Sequence, residues 1–342
     1  MTLMKTHADS APRLSVAPMM DWTDDACRNL HRCLSRRALL YTEMVTSAAL
    51  VRGGATRLLE MTLGQGPVAL QLGGSDPGEL AEAAAMGGAY GYDEINLNVG
   101  CPSDRVQSGC FGAVLMRRPD LVAECVRRMQ AQVRQPVTVK CRIGVDEQDP
   151  AQVLPDFLAR MRDAGVPRVI VHARKAWLQG LSPKENREVP PLDYPLVQRM
   201  AREFPELDIW INGGIGDLDV AARLLDEAPF GGVMIGRAAY HDPTRVLLTA
   251  DSRLHGAADP VASAREAVAA LRPFIAAHLA RGGRLHDYSR HMLGLFTGRP
   301  GARAWRRILS EGAHLPDAGL DLIDRALAAV PAPARCSAVA AQ

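Results

Sequence analysis

Along the first two thirds of the chain, short and nearly continuous apolar runs alternate with longer stretches in which apolar residues return every three or four positions. The runs are Leu14–Met19 (LSVAPM), Leu39–Met44 (LLYTEM), Val68–Gly74 (VALQLGG), Glu94–Gly100 (EINLNVG), Val137–Gly144 (VTVKCRIG), Arg168–Arg174 (RVIVHAR), Asp208–Gly214 (DIWINGG) and Gly232–Ala238 (GVMIGRA). Strands that are apolar on both faces are buried on both faces, which marks a parallel sheet covered by helices. Between them, Pro77–Gly88, Asp120–Val133, Pro150–Ala164, Leu192–Phe204 and Leu218–Glu227 carry the helical period. Eight such units in about 240 residues predict a closed (β/α)8 TIM barrel. An open doubly wound sheet would need a GxGxxG turn after its first strand. Here that strand runs into Pro18-Met19-Met20-Asp21 instead.

After Leu248 the strand signal stops. Thr249–Asp259 reads as a polar linker, and Asp259-Pro260 as an N-cap and first-turn pair. The rest is helical: Pro260–Arg281, Leu285–Phe296, Ala302–Glu311 and Leu320–Ala329. The expected organisation is a barrel over 1–248, a linker over 249–259 and a small all-helical domain over 260–330. Met1–Pro12 and the Ala/Pro-rich Pro331–Gln342 read as frayed or disordered tails.

Composition narrows the setting. The 342 residues are 47% hydrophobic and only 5% aromatic, enough for a large core. A formal charge of +2 carries no message by itself, so only its distribution can indicate a partner. No apolar run reaches membrane-helix length, and MTLMKTHADSAPR lacks the apolar core of a signal peptide. The seven cysteines show no CxxC and no regular spacing, which argues against a disulfide framework or a zinc site. A reducing, cytoplasmic setting is expected.

Barrels of this kind place their chemistry at the C-terminal ends of the strands. Those ends carry Met19, Met20, Glu43, Gln71, Asn98, Cys101, Lys140, Arg142, His172, Asn212, Gly213, Gly214, Gly236 and Arg237. Each alone has a bland reading: a packed thiol, a lysine reaching solvent, a histidine on a carbonyl, an ordinary Asn-Gly-Gly turn. Polar residues at most of the eight ends at once are less easily dismissed. Phosphate in such barrels sits on the loops after the seventh and eighth strands. Asn212-Gly213-Gly214 and Gly236-Arg237 supply bare N–H groups and a guanidinium fork there. Gln71 offers both a donor and an acceptor to a heteroaromatic edge. Lys140 would place positive charge where a reduced flavin gathers negative charge, and His172 would meet a pyrimidine carbonyl or a phosphate. The Pro18-Met19-Met20 turn adds backbone amides and soft apolar cover. The set suits FMN.

Several longer runs resemble a known family. Ser15–Asp24 (SVAPMMDWTD), Asn96–Met116 (NLNVGCPSDRVQSGCFGAVLM), Val139–Asp146 (VKCRIGVD), Val171–Leu192 (VHARKAWLQGLSPKENREVPPL), Ile211–Gly216 and Gly298–Arg307 (GRPGARAWRR) are similar to tRNA-dihydrouridine synthases of the A type, from about Leu14 to Leu309. That resemblance implies an FMN barrel, a helical tRNA-binding domain, NADPH as reductant, and uridines 20 and 20a of the D-loop as substrate.

Reducing uracil adds a hydride to C6 and a proton to C5. The carbon at C5 therefore needs an acid. Thiols with an ordinary pKa near 8.5 are mostly protonated at neutral pH, so a cysteine can donate without an activating base. By the resemblance, Cys101 is that donor. The following proline restricts its backbone, and Gly109 and Gly112 would let the loop close. Asn98 would reach the substrate or the flavin edge. Cys27, Cys33, Cys125 and Cys141 read as packed residues, Cys110 shares the mobile loop, and Cys336 lies in the tail.

Charge is uneven. Between Arg281 and Arg307 lie seven arginines and one acid, Asp287. A solvated helical face is the bland explanation, but Arg299 and Arg303 sit in the GRPGAR loop, free to reach phosphates. Lys175, Lys184 and Arg187 in the sixth barrel loop, around Trp177 and Tyr194, with Arg142, would make the facing wall. A splayed D-loop uridine would enter between them. Two other classes compete: a small-molecule FMN enone or dihydropyrimidine reductase, which leaves the arginine-rich domain unexplained, and an aldolase using Lys140 as a Schiff base or a purely RNA-binding barrel.

Overall fold

A computed structural model of the chain describes residues 11–103 and 110–331. Most of both expected tails, Cys336 and Gly109 lie outside the described residues. Eight parallel strands follow the predicted order: β1 (Leu14–Val16), β2 (Leu40–Thr46), β3 (Val68–Gly73), β4 (Glu94–Val99), β5 (Val137–Arg142), β6 (Arg168–His172), β7 (Asp208–Asn212) and β8 (Gly232–Ile235). From β2 to β8 each pairs with its sequence neighbour, and β1 pairs with β8. The ring closes where Val16 N–H donates to Leu39 O at 3.0 Å and Leu39 N–H donates to Leu14 O at 2.9 Å.

β3 and β4 are buried at every position, although Gln71, Glu94, Asn96 and Asn98 interrupt their apolar residues. All strands but β2 stop short of the apolar pattern: β1 ends at Val16 rather than Met19, and β8 at Ile235 rather than Ala238. The leftover residues lie beyond the ladder, at the C-terminal ends of the strands.

The covering helices start on recognisable caps. Asp24, Asp76, Asp149, Asp193 and Asp217 each accept a hydrogen bond from a first-turn N–H, and proline follows Asp76 and Asp149 directly. One expectation needs correcting. The stretch read as a polar linker holds a helix, Ala250–His255. Its Asp251 is buried and accepts from Ser35 Oγ, Arg36 N and Arg37 N, which pins it to the end of helix Asp25–Leu34. Polarity here serves a cap at long range, a use that sequence pattern does not reveal.

The C-terminal region is helical, with Ala264–Ala280, Leu285–Met292, Ala302–Gly312 and Leu320–Ala328; the first starts on Ser263, whose side chain accepts from Glu266 N, and not on the expected Asp259-Pro260 pair. Trp305 is its buried centre, packed edge-on against Phe296 and donating from Nε1 to Met292 O at 3.0 Å. The first two of these helices pack on Asp25–Leu34. Asp24 ties the units together: it caps Asp25–Leu34 while pairing with Arg290 and, at 3.0 Å, with His291. Trp22 stacks on Tyr240 at 4.4 Å beside it. No helix among the described residues is long and apolar enough to cross a membrane.

Candidate active site

The strand register decides which polar side chains meet. Asn98 stands opposite Lys140, Arg142 opposite His172, and His172 opposite Asn212. Alternation along each strand turns Asn96 and Asn98, and likewise Thr138 and Lys140, to one face. The result is a polar mouth over a floor of Ala17, Leu39, Tyr41, Ala69, Ile170, Trp210 and Met234.

At the end of β4 the chain breaks from the ladder. Asn98 Oδ1 accepts from Gly100 N at 2.9 Å and from Cys101 N at 3.0 Å, an Asx-type turn that sets the cysteine. Cys101 O accepts from Ala113 N at 2.9 Å, so the far side of the loop is anchored as well. Cys101 itself is partly exposed, and its Sγ lies 3.5 Å from Ser103 Oγ. The Asn98 amide, expected to face a substrate, is thus largely occupied with shaping the loop.

Arg142 departs from its expected place. It is only 3% exposed, and its guanidinium donates to Gly100 O at 3.1 Å, Lys175 O at 3.3 Å and Asn186 O at 2.9 Å. It clamps the Cys101 loop to the sixth loop and is not presented to an outside phosphate. Burial lowers its pKa to about 10, so it stays cationic at neutral pH. The sixth loop folds around Asn186, which is fully buried, accepts from Trp177 N and donates to Trp177 O and Leu181 O. Sequence reading passed over Asn186, since nothing in KENRE separates a buried asparagine from an exposed one. Lys175 lies over the Trp177 ring at 5.3 Å, and Lys184 and Arg187 are exposed on the same loop.

Lys140 donates to Asn212 Oδ1 at 3.1 Å, and Asn212 donates to Met234 O at 2.7 Å. By surface area Lys140 is only half-buried, but the concave walls around it still desolvate the ammonium. Burial, then the neighbouring Arg142 charge, lowers its pKa to about 8. His172 is buried and its Nε2 has no partner among the described residues. Burial first, followed by the charges of Arg142 and Lys140, pushes its pKa well below the ordinary value, so the ring is neutral. Gln71 donates to Asn96 Oδ1 and accepts from Asn98 Nδ2, each at 2.9 Å. One N–H and one lone pair of its amide are left over.

After β7 the backbone enters left-handed space at Gly213 (φ 113°) and Gly214 (φ 69°). A Cβ on Gly213 would stand 2.7 Å from His172 Cδ2, and one on Gly214 would stand 2.6 Å from Leu192 Cδ1. Tyr194 Oη donates to Gly213 O and steadies the turn. Gly236 lies beside Met19, whose Sδ would be 3.7 Å from an added Cβ, which brings the first and eighth loops together. Arg237 follows, its guanidinium paired with Glu188 and near Arg187 O at 3.5 Å. Arg174, also missed by sequence reading, donates to Glu188 O and Pro190 O and has a buried Nε without a partner among the described residues. Pro18 and Met19 are half-buried at this rim, and Met20 is 55% exposed. Arg299 and Arg303 are exposed and form no ion pair with a described acidic residue; Arg299 precedes helix Ala302–Gly312, but Arg303 stands in its first turn and not in the expected loop.

Glycines that exclude a Cβ, an orphaned imidazole nitrogen, a buried ammonium and a partly open thiol all converge on one mouth. This is the layout of a (β/α)8 barrel enzyme, with its chemistry at the C-terminal ends of the strands. The dihydrouridine synthase (Dus) family model matches residues 15–330, and the chain belongs to that family of oxidoreductases. It is 52% identical over 320 residues to the tRNA-dihydrouridine(20/20a) synthase of Vibrio cholerae, covering 93% of this chain and 97% of that one. Proteins of the same name in Escherichia coli K12 (52% over 324 residues, 94% and 93% covered) and Xanthomonas campestris (52% over 320 residues, 94% and 94% covered) are equally similar. Among solved structures, the old yellow enzyme homologue from Zymomonas mobilis aligns with a TM-score of 0.50 at 11% identity, over 68% of this chain and 86% of that one. That likeness concerns the fold.

Proposed function

We propose that the protein reduces uridine to 5,6-dihydrouridine in the D-loop of tRNA, at positions 20 and 20a, with FMN in the barrel mouth and NADPH as the reductant. The observation that carries this reading is the thiol of Cys101, set by its own turn at the rim of a cradle for a phosphate-bearing ring. The residues fit FMN. Gly213, Gly214, Gly236 and Arg237 would hold its phosphate, with Arg237 exchanging Glu188 for the phosphate oxygens. Gln71, Lys140 and His172 would meet the ring's polar edge, and Pro18, Met19 and Met20 would cover it. When bound, FMN supplies the hydride that reaches C6 of the uracil and is restored by NADPH.

The chain's own residues supply the rest. Cys101 holds a proton at Sγ for C5. Asn98 and Arg142 fix the loop that carries it, from below and from the side. Lys140 places a positive charge beside the ring. The barrel, 1–248, is the catalytic unit, and the helical segment 260–330 is the tRNA-binding unit, with Lys175, Lys184, Arg187, Arg299 and Arg303 facing phosphates.

Sequencing-based mapping of dihydrouridine in tRNA from a strain lacking this gene should show loss at positions 20 and 20a. Unchanged modification there would refute the substrate assignment. Denatured protein should release FMN and no FAD, because the sequence lacks the GxGxxG turn of a dinucleotide fold. Gly213→Ala should abolish FMN retention, since its Cβ would strike His172; a variant as yellow as wild type would move the cofactor elsewhere.

A further expectation follows from the lowered Lys140 pKa. The ammonium is charged below about pH 8 and loses its charge as pH rises through that value. NADPH-driven flavin reduction should therefore fall across that window. In Lys140→Met it should be slow throughout, without that limb. Identical pH profiles would show that Lys140 does not act on the ring.

A further inference from the structure

Polar side chains on the axis of a small barrel are tolerated only when each is paired. Here they run as one chain from floor to mouth. At the floor Glu94 is buried, with Oε2 accepting from Arg168 at 2.8 Å and Oε1 accepting from Tyr41 Oη at 2.7 Å and Thr138 Oγ1 at 2.5 Å. Thr138 Oγ1 accepts from Asn96 Nδ2 at 2.8 Å. Asn96 Oδ1 accepts from Gln71 Nε2, and Gln71 Oε1 accepts from Asn98 Nδ2, both at 2.9 Å. The chain ends where Asn98 Oδ1 accepts from the backbone N–H groups of Gly100 and Cys101.

Both ends have fixed polarity. A carboxylate can only accept, and a backbone N–H can only donate. Burial raises the Glu94 pKa, and the Arg168 guanidinium, held between Glu94 and Asp208 at 2.8 Å from each, opposes that rise together with the Thr138 and Tyr41 hydroxyls and favours the carboxylate at the lower end. Each hydroxyl and amide in between can in principle turn over, but one sense alone satisfies both ends, with every donor pointing down toward Glu94. An inverted Asn98 would present its NH2 to two backbone donors and push the Cys101 turn away.

We propose that Glu94, at the opposite end of the barrel from the thiol, is a positioning residue for the reaction, acting through Thr138, Asn96, Gln71 and Asn98 to hold the backbone of Cys101. The proposal rests on Cys101 as the proton donor. Thr138 is the link at which it is tested, because Thr138→Val removes the hydroxyl at nearly constant volume and leaves the Glu94–Arg168 pair in place. Thr138→Ser keeps the hydroxyl.

The holoenzymes are reduced, mixed with tRNA, and followed through a single oxidation in stopped flow, with tRNA affinity measured separately. Alkylation of Cys101 by iodoacetamide is followed by peptide mass spectrometry, with Cys110 as the internal reference. Thr138→Val should slow the single turnover by about 10²-fold, the cost of a misplaced reacting group, with tRNA affinity unchanged. It should also change the alkylation rate of Cys101 relative to Cys110. Thr138→Ser should restore both. Wild-type behaviour of Thr138→Val, or equal defects in Val and Ser, would overturn the positioning role. A Cys101→Ala protein with full activity would instead remove the proton-donor reading, and the alkylation ratio would still decide whether the chain holds the turn.

Discussion

Cys101→Ala is expected to lower the rate of uridine reduction in tRNA by ~10²–10⁴, the usual cost of a lost general acid, while leaving FMN binding and NADPH-driven flavin reduction intact. The separation follows from where the thiol sits. Its loop springs from β4 and is secured by Asn98, Arg142 and Ala113, none of which needs the sulfur. The proposed phosphate cradle is on the loops after β7 and β8, away from the β4 loop. The loop should therefore keep its shape in the alanine protein, and the deficit should appear only after the flavin is reduced. Rapid mixing of pre-reduced enzyme with tRNA isolates that step. Reduction of uridine at the wild-type rate would assign the proton to another group. Cys101→Ser is a useful companion, because a hydroxyl fits the site but is a far weaker acid than a thiol; it should remain close to the alanine protein.

The second large effect concerns the helical region. Reversing Arg299 and Arg303 to Glu should sharply raise the tRNA concentration needed for turnover, with FMN content and flavin reduction unchanged. It should also flatten the salt dependence of tRNA binding by about 0.7–0.9 in log–log slope for each tRNA phosphate that is no longer neutralised. The structure sharpens the choice of residues. Among the seven arginines of this stretch, Arg290 is already committed: it pairs with Asp24 and donates to Asp21 O at 2.9 Å, so its replacement would disturb the union of barrel and helices. Arg299 and Arg303 are exposed and leave that union alone. Filter binding across a salt series measures the slope directly. An unaltered slope and affinity would mean that the two arginines merely solvate the surface, and the tRNA-binding face would have to be sought on the sixth barrel loop, at Lys175, Lys184 and Arg187.

The eight strands, the parallel order and the helical C-terminal region were legible in the chain because each rests on local periodicity and caps. A strand covered by helices needs apolar residues on its outward face, and an aspartate before a proline starts a helix at Asp76 and Asp149, although at Asp259 the cap passes to Ser263. Strand-end chemistry was legible for the same reason: once the barrel was recognised, Cys101, Lys140, His172 and the Gly213-Gly214 turn had to lie around one mouth. What sequence could not specify was which polar groups would be spent on each other. Arg142 reads like a phosphate ligand until the fold presents it with three backbone carbonyls. Asn98 reads like a substrate-binding amide until two N–H groups close on its oxygen. Asp251 reads like linker polarity until the end of helix Asp25–Leu34 arrives to be capped. Asn186 and Arg174 find their partners across their own long loop, and the Glu94–Thr138 link joins two strands; none carries a local signal, since each partner arrives only when the chain folds back. Periodicity and capping are properties of neighbouring residues and are written along the chain. The pairing of buried polar groups is a property of space, settled only when the barrel closes and each donor must find an acceptor.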